Sequence, residues 1–166
     1  MKKLFIFILA SSQILAESFG SGLVFRVSDG DTAIIQVSPD EDMVKCRLYG
    51  IDAPEKAQPY GQDAKRFLSQ MILGKNVHYR VLAKDMYGRS VCVITVADET
   101  GDLIANEHMV RMGMAWAYVQ YLKKDKENLK KYLEFQTYAM KSKFGLWQDP
   151  NPEAPWVYRK KNRRRN

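Results

Sequence analysis

The sequence predicts an α+β fold, five short strands forming a small barrel with three α-helices around it, and three observations carry this. Five runs alternate apolar and polar residues with the period of a half-buried strand, at 23–27, 32–37, 43–49, 76–83 and 91–97. Three stretches, 60–73, 103–112 and 125–143, follow the helical period instead. The first three strands are joined by tight Gly-, Asp- and Pro-bearing turns, which makes them an antiparallel meander. Strands in this number, with helices after the third, after the fifth and at the C-terminus, suit a closed or partly open barrel.

The elements follow in order. Lys2 and Lys3, the apolar run 4–10 and the small residue Ala16 have the pattern of a secretory signal over residues 1–16. The run is far shorter than the about 20 residues a spanning helix needs, so cleavage after Ala16 and export, periplasmic or extracellular, with no stable membrane insertion, are expected. Residues 17–22, mostly small and polar, are a flexible lead-in to a domain over 23–147. Asp29-Gly30-Asp31 turns the first strand into the second, and the third delivers Arg47 towards the turn at Gly50. Pro54 and Pro59 keep the next stretch out of helix. Ala64, Phe67, Leu68, Met71 and Ile72 then mark one helical face, closed by Gly74. Tyr87-Gly88-Arg89 turns the fourth strand into the fifth. Gly113 ends the second helix, and Asp125 is the N-cap of the third, whose face is Leu129, Tyr132, Leu133, Gln136, Ala139 and Met140. Residues 148–166 read as an irregular Pro- and Trp-bearing segment ending in a basic, disordered tail from Arg159 to Arg165.

A chain of 166 residues with net charge +7 and pI near 9.4 suits one domain, a monomer, with a polyanionic partner, nucleic acid ahead of acidic membrane. Cys46 and Cys92 both lie in strand-like runs, either facing each other as one disulfide after export or buried as inert thiols. His78 and His108 have no metal-type spacing and are structural.

The chemistry concentrates in three short blocks. Asp31 and Asp52 are hard oxygen donors able to hold Ca²⁺ or Mg²⁺, with waters and the Ala53 carbonyl completing the shell. Glu55, stiffened by Pro54, is positioned to orient or deprotonate a water. Arg47 and Arg89 can grip phosphate oxygens bidentately. The plainer readings are that Asp29 and Asp31 merely form a turn, that Asp52 and Glu55 cap the following helix, and that Arg47 pairs with one of them.

Asp29-Gly30-Asp31-Thr32, the block from Arg47 to Glu55, Asp85 to Arg89, Asn106-Glu107 and Ala117-Tyr118-Val119, in this order, resemble the thermonuclease (staphylococcal-nuclease-like) family over about residues 23–147. The resemblance implies an OB-fold barrel with three helices that hydrolyses DNA and RNA with Ca²⁺ and leaves 3′-phosphates. It implies metal-ligand roles for Asp31 and Asp52, phosphate clamps at Arg47 and Arg89, and the general base at Glu55. Three positions depart from the family pattern: Met86 stands for a lysine, Ala53 for a threonine, and of the pocket tyrosines Tyr118 matches while Tyr121 needs a shifted loop. Tyr87, Tyr118 and Tyr121 are the candidate substrate contacts. The reading is therefore an exported endonuclease. The alternatives are a catalytically inactive nucleic-acid-binding OB-fold module and a basic surface-attachment protein, the latter leaving the charged cluster without a use.

Overall fold

The structure is a computed structural model that describes residues 18–38, 43–99 and 101–163. The expected signal (1–16), most of the turn around Pro39 and the last residues of the basic tail lie outside the described residues. Five long strands, β1 (Ser18–Asp29), β2 (Thr32–Gln36), β3 (Met43–Leu48), β5 (Asn76–Lys84) and β6 (Ser90–Asp98), form a closed barrel. Neighbours pair antiparallel except β3 with β6, which close the barrel in parallel through Cys46↔Ser90, Arg47↔Val91 and Leu48↔Cys92. β1 belongs to two pairings at once. Its ladder to β2 slips between Val24 and Arg26 and again between Val27 and Asp29, and such bulges bend a strand sharply enough to curl a sheet. Two-residue strands β4 (Ile51–Asp52) and β8 (Trp116–Ala117) pair with each other, and β7 (Gly101–Ile104) extends β6 as a hairpin.

Around the barrel stand α1 (Gly61–Ile72), α2 (Ala105–Arg111), the single turn α3 (Val119–Leu122), α4 (Lys126–Lys141), a 3₁₀ turn (Gly145–Gln148) and α5 (Pro155–Asn162). Val24, Ile35, Leu48, Val77 and Ile94 from the strands meet Leu68 and Ile72 of α1 and Met109 of α2 in one core, all buried. Asn106 is fully buried and joins helix to barrel. Its side chain accepts from Ile94 N at 3.0 Å and donates to Tyr49 O at 3.1 Å and Cys92 O at 3.0 Å. Asp125 caps α4 as expected, accepting from Asn128 N at 3.1 Å.

Several expectations need correction. Residues 18–22 are not a lead-in but the first part of β1, paired with β5 from Ser18↔Val81 to Gly22↔Val77. Two glycines, two serines and only one apolar residue, the exposed Phe19, hid this, although the pairing itself explains the glycine at position 20, where a Cβ would overlap the Tyr79 ring. Leu103 and Ile104 belong to β7 rather than to the second helix. The segment after residue 148 is not irregular throughout: Pro155 occupies the first turn of α5, where its missing N–H is no loss. Trp156 of α5 packs edge-on against Trp116 at 5.6 Å, and Trp116 in turn against Trp147 at 4.5 Å. Arg159 to Arg163, expected to be disordered, are therefore ordered, as the second half of a docked helix and its C-cap. Cys46 and Cys92 are buried free thiols in mutual hydrogen-bond contact, not a disulfide. That contact, with burial, pushes the Cys46 thiol far above its ordinary range, which makes it unreactive.

Candidate active site

The three blocks converge because the barrel closes where they end. β2 begins at Thr32, directly opposite Arg47 on β3. The chain leaves β3 through Gly50, at φ +75°, and reaches Asp52 on β4, which β8 holds through Asp52↔Trp116. Asp31, Arg47 and Asp52 thus share one buried corner. Arg47 Nη2 lies 3.1 Å from Asp31 Oδ2 and 3.0 Å from Asp52 Oδ1, and its Nη1 donates to Leu48 O at 3.1 Å. Asp31 Oδ2 also accepts from Ala53 N at 2.8 Å, and Oδ1 from the Thr32 hydroxyl at 3.2 Å. Ala53 therefore contributes its N–H to this corner, an interaction that any residue except proline would supply.

A cleft of about 320 Å³ opens from this corner, lined by Asp31, Arg47, Asp52, Ala53, Glu55 and Arg89, with Met86, Tyr87, Tyr118 and Tyr121 around it. Every catalytic, metal and substrate candidate named from the sequence borders it. Glu55 sits on a tight turn, where Gln58 N donates to Glu55 O at 2.8 Å and Gln58 Oε1 accepts from Glu55 N at 3.0 Å. Arg89 arrives on the β5–β6 turn. Its Nε donates to Asp85 Oδ2 at 2.6 Å, while Asp85 Oδ1 accepts from the backbone of Tyr87 and Arg89, each at 2.9 Å. Burial opposes the charge on Asp85, but these hydrogen bonds outweigh it and hold its carboxyl below the usual range. Asp85 is a positioning residue for Arg89. Tyr87 is 70% exposed beneath the Arg89 guanidinium, 5.6 Å from it, and Tyr118 stacks edge-on with Tyr121 at 4.8 Å.

Burial, more than any neighbouring charge, sets the electrostatics of the corner. Burial raises Asp31 to about 7, Arg47 and the Ala53 N–H oppose this, and the charges of Asp29 and Asp52 add to it. Among the described residues no three His, Cys, Asp or Glu side chains gather as a metal cage. Two hard carboxylates converging on one point at the floor of a water-accessible cleft nonetheless have the donor chemistry for a divalent cation that keeps several waters.

The residue that sequence reasoning missed is Arg159. It reaches over from α5 and lays Nη2 on Asp52 Oδ2 at 2.7 Å, and Nη1 on Asp52 Oδ1 at 3.2 Å and Glu55 Oε1 at 2.7 Å. These hydrogen bonds raise its own pKa above the ordinary arginine value. Two signals were available. Pro155 marks a helix start, and Trp156, Arg159 and Arg163 recur at three- and four-residue spacing on one face.

A sequence profile described as staphylococcal nuclease homologue matches residues 45–149. An uncharacterized endonuclease of Escherichia coli is 38% identical over 139 residues, covering 83% of this chain and 84% of that protein. An uncharacterized endonuclease of Haemophilus influenzae is 37% identical over 140 residues, with 84% and 73% covered. The micrococcal nuclease of Shigella flexneri is 34% identical over 144 residues, with 84% and 80% covered.

Proposed function

The chain belongs to the staphylococcal nuclease family, and from that premise we propose that it is an exported, Ca²⁺-dependent endonuclease cutting DNA and RNA to leave 3′-phosphate ends. A nuclease is what family and relatives support together; export, metal, substrate breadth, product ends and residue roles are this reading's additions. The observation that carries it is the meeting of Asp31, Asp52, Glu55, Arg47 and Arg89 around one cleft.

Phosphodiester hydrolysis is limited by negative charge that grows on the phosphoryl oxygens, so donors fixed before the reaction do most of the work. Arg47 is fixed by two carboxylates and a carbonyl, and Arg89 by Asp85. Arg89, held through Nε, can bind phosphate oxygens with its terminal nitrogens without first reorganising, whereas Arg47, with Nη2 on two carboxylates, offers Nε and the rest of Nη1. Glu55, partly exposed at the mouth of the cleft, takes a proton from the attacking water. Asp31 and Asp52 would hold the cation, which supplies Lewis-acid charge at the phosphate when bound. Arg159 occupies both oxygens of Asp52, so this ion pair and a cation on Asp52 exclude one another. Phosphate-directed groups make no distinction between deoxyribose and ribose, which is why both nucleic acids serve as substrates.

The same Arg159 contact favours a second reading, an inactive nucleic-acid-binding module whose base and metal ligand are permanently capped. Glu55→Gln separates the two. For the nuclease, turnover on single-stranded DNA falls by about 10²–10⁴ with an unchanged melting temperature, whereas a variant as active as the parent protein removes Glu55 from the mechanism.

A further inference from the structure

The cleft continues past Glu55. Beyond it a second groove of about 390 Å³ runs between the 55–57 turn and α5, and Glu55, Arg159 and Arg163 border both hollows. Its walls are fixed. The Tyr158 hydroxyl donates to Ala57 O at 3.3 Å, Gln58 Nε2 to Glu153 O at 2.5 Å, and Gln62 Nε2 to Lys56 O at 3.0 Å. A ligand entering this groove would not have to order the backbone on either side.

The groove is also charged in one sense. Lys56 on one wall and Arg159 and Arg163 on the other face a single carboxylate, Glu55, which Arg159 already neutralises at 2.7 Å. Among the described residues neither Lys56 nor Arg163 has a carboxylate partner. Arg159 and Arg163 stand one helical turn apart, about 6 Å along the helix, so they present two cations along the edge that the groove shares with the cleft. Solvated surface cations would not need to line a groove continuous with a phosphate-handling cleft.

We propose that this groove is a flanking-phosphate subsite: a single nucleic-acid strand whose scissile phosphate lies in the cleft runs on between Lys56 and α5, and Lys56 and Arg163 hold its next phosphates. The proposal rests on the nuclease reading for the direction of the strand but is tested by binding alone. Full-length protein with Lys56→Ala, which borders the groove and not the cleft, is compared with the parent, by fluorescence anisotropy in chelator, on a labelled single-stranded DNA dodecamer and a dinucleotide. The dodecamer is bound more weakly by the variant, and the slope of log affinity against log salt becomes shallower by about 0.7, the value for one single-strand phosphate that the variant no longer neutralises. The dinucleotide, too short to reach past the cleft, is bound alike by both proteins, and Lys56→Arg keeps the parent's slope. An unchanged slope overturns the subsite, as does a dinucleotide weakened in the same ratio as the dodecamer. Failure of the nuclease reading would look different: the parent protein would leave the dodecamer intact in Ca²⁺, whatever the anisotropy gives.

Discussion

Arg47 is 8% exposed and lies between two carboxylates that are themselves buried. Arg159 also pairs with Asp52, and the cost of burying a charge falls on Asp31, where it outweighs the pull of Arg47. Its folded value, about 7, lies above its ordinary value of 3.8. In metal-free protein the group therefore contributes most to stability below pH 3.8, and that contribution is lost as pH rises through about 7. Asp31→Asn removes this ionisation. In chelator the variant melts at a higher temperature than the parent at pH 8.5, with the gap closing towards pH 4, and a parent stability that rises with pH where the variant's stays flat would contradict a burial cost on the Asp31 charge. Asp31, Arg47 and Asp52 were legible in the sequence because each stands at a strand end or turn where a polar side chain has no place in the barrel core. The position of Arg89 was legible for the same reason. What holds Arg89 was not, because Asp85 has the appearance of an ordinary turn aspartate until its three hydrogen bonds are traced.

At the scale of the element, α5 departs furthest from the sequence expectation. Six cations among residues 159–165 suggest a solvated tail, and nothing in that run is apolar. The docking comes instead from just upstream, where Trp156 fills the gap beside Trp116 and Tyr118. The helix thereby carries Arg159 onto Asp52 and Glu55, the residues proposed as cation ligand and base. Arg159→Ala tightens Ca²⁺ binding about tenfold by calorimetry, the equivalent of one charge-assisted hydrogen bond. Affinity that stays the same or weakens would mean that Arg159 supports the cation site rather than competing for it. The start of β1 escaped for a related reason. Its ladder to β5 depends on glycine at a close approach and not on the apolar alternation that marks the other strands.

Across the whole molecule, the five-strand count and the helix after the third strand were readable from local period alone. The parallel closure of β3 on β6 was not, because it joins segments with a helix and two strands between them and leaves no local mark. That closure brings Arg47 and Arg89 to the same end of the barrel, so the site is a product of topology more than of any one motif. The net charge of +7 is spread over tail, helices and cleft, and it draws polyanions to the molecule without selecting where they bind. The central claim is that the acids and arginines at this end of the barrel hydrolyse phosphodiester bonds with a bound divalent cation. Incubating the purified protein with end-labelled single-stranded DNA in Ca²⁺, beside the same mixture in chelator, tests it directly. The account predicts short fragments ending in 3′-phosphate with Ca²⁺ and intact strands with chelator; intact strands in both, from folded protein that still binds the DNA, would contradict it.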